Sequence, residues 1–329
     1  MQQSSPSAAR SGLRAGVDIG GTKVAVSLAG PADGDAPPPL LVRVSEPTVK
    51  TGAFDALARQ VLRLLDAACA RCGQARDELA GIGVSACGPF VRQRGMIELA
   101  NPNICGGLAG AVRDLGNDWT HVPLQAPLAE ALGARVFIAN DAVAALQAER
   151  RWGALRGVAH CAYVTWSTGI GVGLCVDGRV LFGKNGNAGH AGHSYVADLP
   201  GEPPLCGCGN RGDVESLIGG ASMPRRLGID APTLLRAAQD GDAAATAQVQ
   251  ALCALMGRLL YNLVATLDLQ RISLGGALLL HHEALLLPLL RSELARHFAA
   301  LTDGVELVGA GLGLQVGDYG ALALLEGGS

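Results

Sequence analysis

Two stretches of this sequence share one pattern: residues 15–30 read AGVDIGGTKVAVSLAG, and residues 162–177 read AYVTWSTGIGVGLCVD. Each begins with an apolar run, turns at a group of glycines and a threonine, and continues with alternating apolar residues. That pattern predicts a strand, a tight turn and a second strand that returns beside the first. Because it occurs once in each half of the chain, we expect two similar halves.

The segments around these hairpins alternate between predicted strands and predicted helices. Apolar runs and alternation predict strands at 40–46, 79–86, 135–139, 271–276 and 305–310. Helical spacing of apolar residues predicts helices at 53–70, 124–132, 142–153, 277–300 and 317–325. We therefore predict an α/β fold of two domains flanking a cleft. The domain limits expected from the sequence are a disordered lead at 1–12, a small N-terminal domain of 13–139 with 312–329, and a large domain of 140–311 with a His/Cys-rich loop at 183–215.

Composition argues against several classes of protein. The 329 residues include 26 Lys and Arg against 29 Asp and Glu, so the net charge is −3 and no basic surface for nucleic acid is expected. Nine scattered cysteines are an odd number, which favours the cytosol over a disulfide-bonded secreted protein. No secretory signal is recognisable at the N terminus, and no apolar run reaches the roughly 18 residues of a membrane span. We expect a soluble, cytoplasmic protein without a membrane or nucleic-acid partner.

The glycine-rich turns have the chemistry of phosphate sites, although the spacing of a P-loop is absent. A P-loop leads into a helix, whereas the residues after Lys23 continue as a strand. In a turn between two strands, glycines and a threonine such as Thr22 let backbone N–H groups approach phosphate oxygens. Asp18, at the end of the first strand, is a candidate for holding Mg²⁺ through water. The alternative is an ordinary Asp/Gly hairpin.

The paired turns resemble the phosphate motifs of the actin/hexokinase-like ATPase fold, and their details resemble the ROK family of sugar kinases. The resemblance covers residues 13–325. RISLGGAL at 271–278 is similar to the adenosine motif of that fold, and GLGLQVGDYGALALL at 311–325 to its second connecting motif. It implies two domains of duplicated type, ATP with Mg²⁺ as the donor, and these ATP-binding residues: Asp18, Gly20, Gly21, Thr22, Lys23, Thr168, Gly169, Gly171, Gly275 and Gly276.

Asn140 and Asp141 lie at a predicted junction between a strand and a helix. Both residue types are favoured as helix caps, so capping is one interpretation of the pair. In the ROK pattern the same pair binds the sugar, and the aspartate takes the proton from the attacking hydroxyl. The resemblance therefore implies that Asp141 is the catalytic base, with Gly88, Asn103 and Asn140 in contact with the sugar.

A histidine and cysteine cluster follows the second hairpin. His190 and His193 are three residues apart, and Cys206-Gly-Cys208 comes shortly after. One histidine and two thiolates in a loop suggest a tetrahedral zinc site that needs a fourth ligand. The ROK signature resembles this stretch but ends C-x-C-G-x-x-G-C-x-E, and here Asp213 replaces the last cysteine. The ligand set implied is His193, Cys206, Cys208 and Asp213, and loss of zinc is the alternative.

By the same resemblance, His190, His193 and Glu215 reach the sugar. Many ROK hexokinases carry Glu where His190 stands, and both AGHAGH at 188–193 and NPNICGG at 101–107 look more like the bacterial N-acetylmannosamine kinases. A histidine can donate as well as accept, so the hydroxyl or acetamide pattern it recognises should differ. The alternative is that His190 tolerates the usual hexose.

The function expected from the resemblance is ATP-dependent phosphorylation of the 6-hydroxyl of an N-acetylhexosamine or hexose, with N-acetylmannosamine as the first choice. Glucokinase activity and a catalytically weak sugar-binding regulator are the alternatives. ROK repressors carry a helix-turn-helix before the kinase-like part, and only about fifteen residues precede the first predicted strand here. The partners expected are a small-molecule sugar and ATP, and a homodimer is possible because dimers are common in the family.

Overall fold

The computed structural model describes residues 12–31, 34–109, 115–133 and 136–326. The chain divides into two compact units, of which unit 1 comprises Met1–Asn140 with Gly317–Ser329 and unit 2 comprises Asp141–Val316. These units divide at 140/141 and 316/317, against domain boundaries expected from the sequence at 139/140 and 311/312. Of the lead expected to be disordered, residues 1–11 lie outside the described residues.

Thirteen strands are found in the described residues. Unit 1 contains β1 (Arg14–Ile19), β2 (Lys23–Ala29), β3 (Leu40–Pro47), β4 (Gly81–Ala86), β5 (Phe90–Gln93), β6 (Met96–Leu99), β7 (Val122–Pro123) and β8 (Val136–Asn140). Unit 2 contains β9 (Cys161–Trp166), β10 (Ile170–Val176), β11 (Arg179–Val180), β12 (Arg271–Gly275) and β13 (Glu306–Gly309).

The helices follow in chain order. The first three are α1 (Ala56–Arg71), α2 (Gly106–Ala109) and α3 (Gln125–Leu132) in unit 1. Unit 2 contains α4 (Asp141–Trp152), α5 (Val214–Ile218), α6 (Met223–Leu227), α7 (Ala231–Gln239), α8 (Ala243–Leu267), α9 (Ala277–His281), α10 (Glu283–Ala295) and α11 (Ala299–Thr302). The chain ends with α12 (Val316–Ala323), nearly all of which belongs to unit 1.

The main sheets of the two units have the same strand arrangement. The order is β3-β2-β1-β4-β8 in unit 1 and β11-β10-β9-β12-β13 in unit 2. In each sheet, the second strand of the order is antiparallel to both of its neighbours, and the last two strands run parallel to the third, central strand. Helices packed on these sheets bury one large apolar core in each unit. The predicted α/β class and the repeated hairpin are therefore confirmed.

Helix α12 packs closely on the sheet of unit 1 because two strand residues have no side chain. A Cβ atom on Gly83 of β4 would collide with the carbonyl of Ala321, and one on Gly16 of β1 would lie 3.2 Å from the Asp318 carbonyl. An ion pair between Arg14 and Glu326 holds the end of the helix against the same strands. The last turns of the chain are therefore part of the core of unit 1.

A buried carboxylate joins three segments of unit 2. Glu149 of α4 is fully buried, and its oxygens accept hydrogen bonds from the backbone amides of Ala154, Gly311 and Leu312 at 2.8–2.9 Å. The hydroxyl of Ser273 in β12 donates to the same carboxylate at 3.2 Å. A buried charge is tolerated only when it is well paired or hydrogen-bonded, and these four donors provide for it.

One helix of the described residues, α8, is long and apolar enough to cross a membrane by length and composition. Its most apolar 18-residue window has a mean hydropathy of 1.3, and 56% of that window is buried within the structure. Its buried residues include Val249, Leu252, Met256 and Leu260, which belong to the core of unit 2. This burial is typical of the core helix of a folded domain. From the sequence, no apolar run long enough to span a membrane was expected, whereas α8 has that length and composition.

Two differences from the sequence prediction are a small sheet and a divided helix. A small antiparallel sheet, β5-β6-β7, was not predicted, because its strands of four, four and two residues are too short to show alternation. The predicted helix at 277–300 is divided into α9, α10 and α11, with a break at His282, whose φ is −129°. Apolar residues continue across the breaks, so periodicity alone did not separate these helices.

Candidate active site

The first turn, residues 20–22, connects β1 to β2. The amide of Gly20 donates to the carbonyl of Lys23 at 2.9 Å, which closes the turn. Thr48, just after β3, donates its hydroxyl to the Gly20 carbonyl at 2.7 Å and its amide to the Thr22 carbonyl at 3.0 Å. Thr48 thus holds the turn in place, a role that sequence reasoning missed because it works through backbone carbonyls.

Asp18 is the last residue but one of β1, beside this turn. The hydroxyl of Ser85 donates to its carboxylate at 3.4 Å. Burial raises the pKa of Asp18, and the nearby carboxylate of Asp318 raises it further, whereas Lys23 lowers it. Asp318 itself accepts hydrogen bonds from Ser27 at 2.8 Å and Arg43 at 2.9 Å. A divalent cation would stabilise the charged form of Asp18, so the carboxylate fits the Mg²⁺ role expected for it.

A loop after β6 brings the first turn and two predicted sugar residues together. The side chain of Asn101, which is buried, donates to the Gly88 carbonyl and accepts from the amide of Asn103 at 2.8 Å. A Cβ on Gly21 would lie only 2.7 Å from the Cβ of Asn103. Gly21, Gly88 and Asn103 are therefore neighbours, and Asn101 positions them. The sequence assigned no role to Asn101.

Parallel pairing brings the ends of three strands of unit 1 to one edge. Asn140, the last residue of β8, pairs with Ala86 of β4, which in turn pairs with Ile19 of β1. Asp18 and Gly88 lie at or just beyond the same strand ends. The carboxyl ends of parallel strands are the usual ligand-binding edge of such sheets. Asn140 thus ends β8 and immediately precedes α4, at the predicted junction between a strand and a helix.

Asp141 is the first residue of α4 in unit 2. Its Oδ1 accepts a hydrogen bond from the amide of Ala142 at 2.8 Å. Two glycines of β10 let this end of the helix approach the strand: a Cβ on Gly171 would lie 3.2 Å from the Cβ of Ala142, and one on Gly173 would collide with the Ala142 carbonyl. The close approach places Asp141 near the strand that leaves the second turn.

The second turn, residues 167–169, connects β9 to β10. The amide of Ser167 donates to the Gly169 carbonyl at 3.0 Å, and the amide of Ala221 donates to the Thr168 carbonyl at 3.0 Å. Glu215 of α5 packs directly on the turn, since a Cβ on Gly169 would collide with its carboxylate. The same carboxylate accepts from the amide of Ile170 at 2.9 Å. Gly169 is thereby held by α5, and Thr168 by Ala221, which follows that helix.

The predicted adenosine glycines, at the end of β12 and the start of α9, pack against β9. Gly276 has a φ of +89°, and a Cβ there would lie 2.5 Å from the Trp166 carbonyl and 2.6 Å from the Thr165 hydroxyl. A Cβ on Gly275 would collide with the ring of Tyr163. These positions require glycine, because the start of α9 is in direct contact with the neighbouring strand.

The segment with the two histidines, residues 187–193, packs directly against β10. Gly189 has a φ of +88°, and a Cβ on it would collide with the Val172 carbonyl. His190 donates its Nδ1 proton to the Asn187 carbonyl at 3.0 Å, so its Nε2 is an acceptor in the neutral ring. Burial lowers the pKa of His190, and the proximity of His193 lowers it further. His190 therefore offers a fixed, neutral imidazole.

The four predicted zinc ligands form one cluster. His193, Cys206, Cys208 and Asp213 each offer a ligand atom, and these atoms all lie within 4.8 Å of one another. Asp213 Oδ2 lies 3.1 Å from His193 Nδ1 and 3.5 Å from Cys208 Sγ. Its other oxygen, Oδ1, accepts from the amide of Ser216 at 2.8 Å and so caps α5. One imidazole, two thiols and a carboxylate are donors that zinc accepts, so the residues fit that metal.

Sequence comparison identifies the family. Residues 14–327 match the sequence profile of the ROK family. The chain belongs to the ROK family. The resemblance inferred from the motifs is therefore confirmed, and so is the fold class that it implied.

Similar proteins include two kinases with different named substrates. An N-acetylmannosamine kinase from Citrobacter koseri is 34% identical over 271 residues, which cover 79% of this chain and 82% of that protein. A glucokinase from Aeropyrum pernix is 29% identical over 308 residues, which cover 84% of this chain and 91% of that protein. The ROK family glucokinase from Streptomyces griseus, solved with glucose and AMPPNP, aligns with a TM-score of 0.72 and 25% identity over 96% of this chain and 100% of its own.

Proposed function

We propose that this ROK sugar kinase, a phosphotransferase, transfers the γ-phosphate of ATP to the 6-hydroxyl of N-acetylmannosamine. The observation that carries the choice of sugar is His190, which stands where many ROK hexokinases have Glu. Its Nδ1 is engaged by Asn187, and Nε2 is left as an acceptor. A single neutral acceptor suits one N–H donor such as that of an acetamide, whereas a carboxylate would offer two charged acceptor oxygens to sugar hydroxyls. The 34% identity to an N-acetylmannosamine kinase supports the same choice.

The donor in this proposal is ATP. Backbone amides of the first and second turns contact its phosphates, and Gly275 and Gly276 lie under the base. The Streptomyces griseus relative was solved with AMPPNP, an ATP analogue, which supports this assignment. Asp18 would hold Mg²⁺ through water, and the ion would neutralise charge on the phosphates.

In the transfer step, Asn140 orients the sugar and Asp141 accepts the proton of the attacking hydroxyl. Phosphoryl transfer passes through a loose transition state, so the rate depends chiefly on positioning and on charge neutralisation. The contacts of Ala142 with β10 fix the start of α4 and hence Asp141. We also propose that His193, Cys206, Cys208 and Asp213 bind zinc. The compartment proposed for the protein is the cytosol.

The test is a coupled ADP-release assay with N-acetylmannosamine, N-acetylglucosamine, mannose, fructose and glucose. A pocket that leaves a buried polar group unpaired loses about 1–3 kcal/mol, so kcat/KM should favour N-acetylmannosamine over glucose by roughly tenfold or more. Equal or better efficiency on glucose would contradict the substrate and favour glucokinase activity. The 29% identical glucokinase makes that the second candidate. Sugar binding without turnover would instead indicate a regulator.

A further inference from the structure

One residue of the second hairpin is held from two sides. Ile170, the first residue of β10, directly follows the second turn. Its amide donates to the Glu215 carboxylate at 2.9 Å, and its carbonyl lies so close to Gly192 that a Cβ there would collide with it. A shift of either flanking segment would therefore move Ile170 and the turn before it.

The same two segments supply the candidate metal ligands. Gly192 immediately precedes His193, and Asp213 caps the helix that carries Glu215. A metal bound by His193 and Asp213 would thus tie together the two segments that hold Ile170.

We propose that the His193, Cys206, Cys208 and Asp213 cluster is a positioning device for the nucleotide: metal in the cluster fixes both segments against Ile170 and so raises the affinity of the second turn for ATP. The inference rests on the proposed function, since it takes residues 167–169 to bind phosphate. The collision expected for a Cβ on Gly169 shows that Glu215 packs directly on that turn. Loosening this charge-assisted contact should weaken nucleotide binding about tenfold.

The experiment compares zinc-loaded protein with protein that has been stripped of zinc and dialysed free of chelator. Calorimetry with AMPPNP in excess Mg²⁺ should give a Kd about tenfold weaker for the stripped protein, and added zinc should restore it. Equal Kd values would overturn the inference, and so would a parent protein that holds no zinc. If zinc-loaded protein holds zinc and binds sugar but not AMPPNP, the proposed function fails as well, and the two failures are thereby distinguished.

Three variants separate this link from general loss of structure. Glu215→Ala keeps all four candidate ligands, so it should retain zinc yet bind AMPPNP weakly whether or not zinc is present. Asp213→Asn keeps an oxygen to cap α5 but removes the carboxylate, so it should lower zinc content and nucleotide affinity together. Asp230→Asn is the matched control, because Asp230 caps α7 in the same way, accepting from Thr233 at 2.9 Å, and contacts no ligand. An equal effect of Asp230→Asn would overturn the inference.

A measurement on the parent protein makes the test independent of variants that fold poorly. The Ile170 amide should exchange its hydrogen more slowly with solvent when zinc is bound, because its acceptor Glu215 is then held in place. Unchanged exchange at Ile170, with slower exchange elsewhere in residues 189–216, would mean that the metal orders its own loop and does not act on the turn.

Discussion

Asp141 allows the chemical role of one carboxylate to be separated from its structural role. Replacement by Asn keeps an oxygen that can accept from the Ala142 amide but removes the proposed base. We expect Asp141→Asn to lower kcat by roughly 10²–10⁴-fold, the usual range for acid–base catalysis, with little change in melting temperature. Steady-state kinetics and thermal unfolding measure the two effects.

The control for Asp141 is Asp242→Asn. Asp242 caps α8 by accepting from the Ala245 amide at 2.8 Å, so it has the same residue type at a helix start in the same unit. It should keep full activity. An Asp141→Asn protein that melts much earlier but retains its rate per folded molecule would make Asp141 a cap only.

The single substitution His190→Glu tests which sugar the protein prefers. A carboxylate offers two charged acceptor oxygens, whereas the neutral ring of His190 presents one uncharged acceptor, Nε2. The substitution should reduce kcat/KM for N-acetylmannosamine more than for glucose, so that the preference narrows or reverses. The ratio of the two efficiencies is the measurement, and a ratio unchanged from the parent would show that His190 does not select the sugar.

The residues proposed to contribute side-chain chemistry were easier to propose from the sequence than those that support them. Asp18, Asp141, His193 and Cys206 belong to recognisable motifs, and their residue types directly supply a carboxylate, an imidazole or a thiol. Thr48 and Asn101 were missed because they act on backbone atoms, and many residue types occur at such positions without that role. The cap formed by Asp213 was also not foreseen, since it depends on where α5 begins.

Among the elements, the first turn should be sensitive to even one added methyl group. A Cβ on Gly21 would meet the Cβ of Asn103 at 2.7 Å, so Asn103 or the turn must move. We expect Gly21→Ala to raise KM for the sugar as well as for ATP, each several-fold. Gly30→Ala, at the other end of β2, is the matched control, because its Cβ would lie at an ordinary 3.5 Å from Pro39. A rise in KM for ATP alone would contradict the contact with Asn103.

Glu149 should contribute to the stability of unit 2 through the elements that it joins. Glu149→Ala leaves the amides of Ala154, Gly311 and Leu312 buried without their acceptor. We expect a loss of about 3–5 kcal/mol in the free energy of unfolding, as for a broken buried charge network. Denaturant unfolding measures it. Glu130→Ala, on the exposed face of α3, should change stability by no more than about 0.5 kcal/mol, and a similar value for both variants would contradict the role of Glu149.

The boundaries of elements with strong periodicity were predicted to within a few residues. The boundaries of short elements, and of helices joined by a continuous apolar stretch, were not. β3, α1 and β12 lie close to their expected positions because alternation or helical spacing persists over five residues or more. The divided helix at 277–300 shows the opposite case, where apolar residues on both sides of His282 hide the break. β5, β6 and β7 depend on pairing with each other, which the sequence does not reveal.

For the whole molecule, Asp213→Cys should change thermal stability in opposite directions in the zinc-loaded and the zinc-free protein. A third thiolate is a softer ligand and should hold zinc more tightly, so the zinc-loaded variant should melt above the zinc-loaded parent. Without zinc, the variant loses the cap to Ser216, which is worth about 1 kcal/mol, and should melt below the zinc-free parent. Elemental analysis and thermal unfolding measure both; a variant that is more stable in both states would contradict the dual role of Asp213.

The repeated hairpin predicted two similar halves, because two copies of one motif favour two similar sheets. The common strand order of the two sheets confirms the repetition. The points where the chain passes between units were harder to place, since residues 311–316 are rich in glycine and leucine and lack a clear period.

The discontinuity of unit 1 has a consequence for synthesis on the ribosome. Its sheet is made first, but α12, which covers Gly16 and Gly83, emerges only after all of unit 2 has been made. Unit 2 is continuous from Asp141 to Val316 and can therefore complete its core while the earlier strands β1 and β4 still lack their cover. The nascent chain should thus mature in the reverse of its sequence order, with the first sheet made being the last one closed.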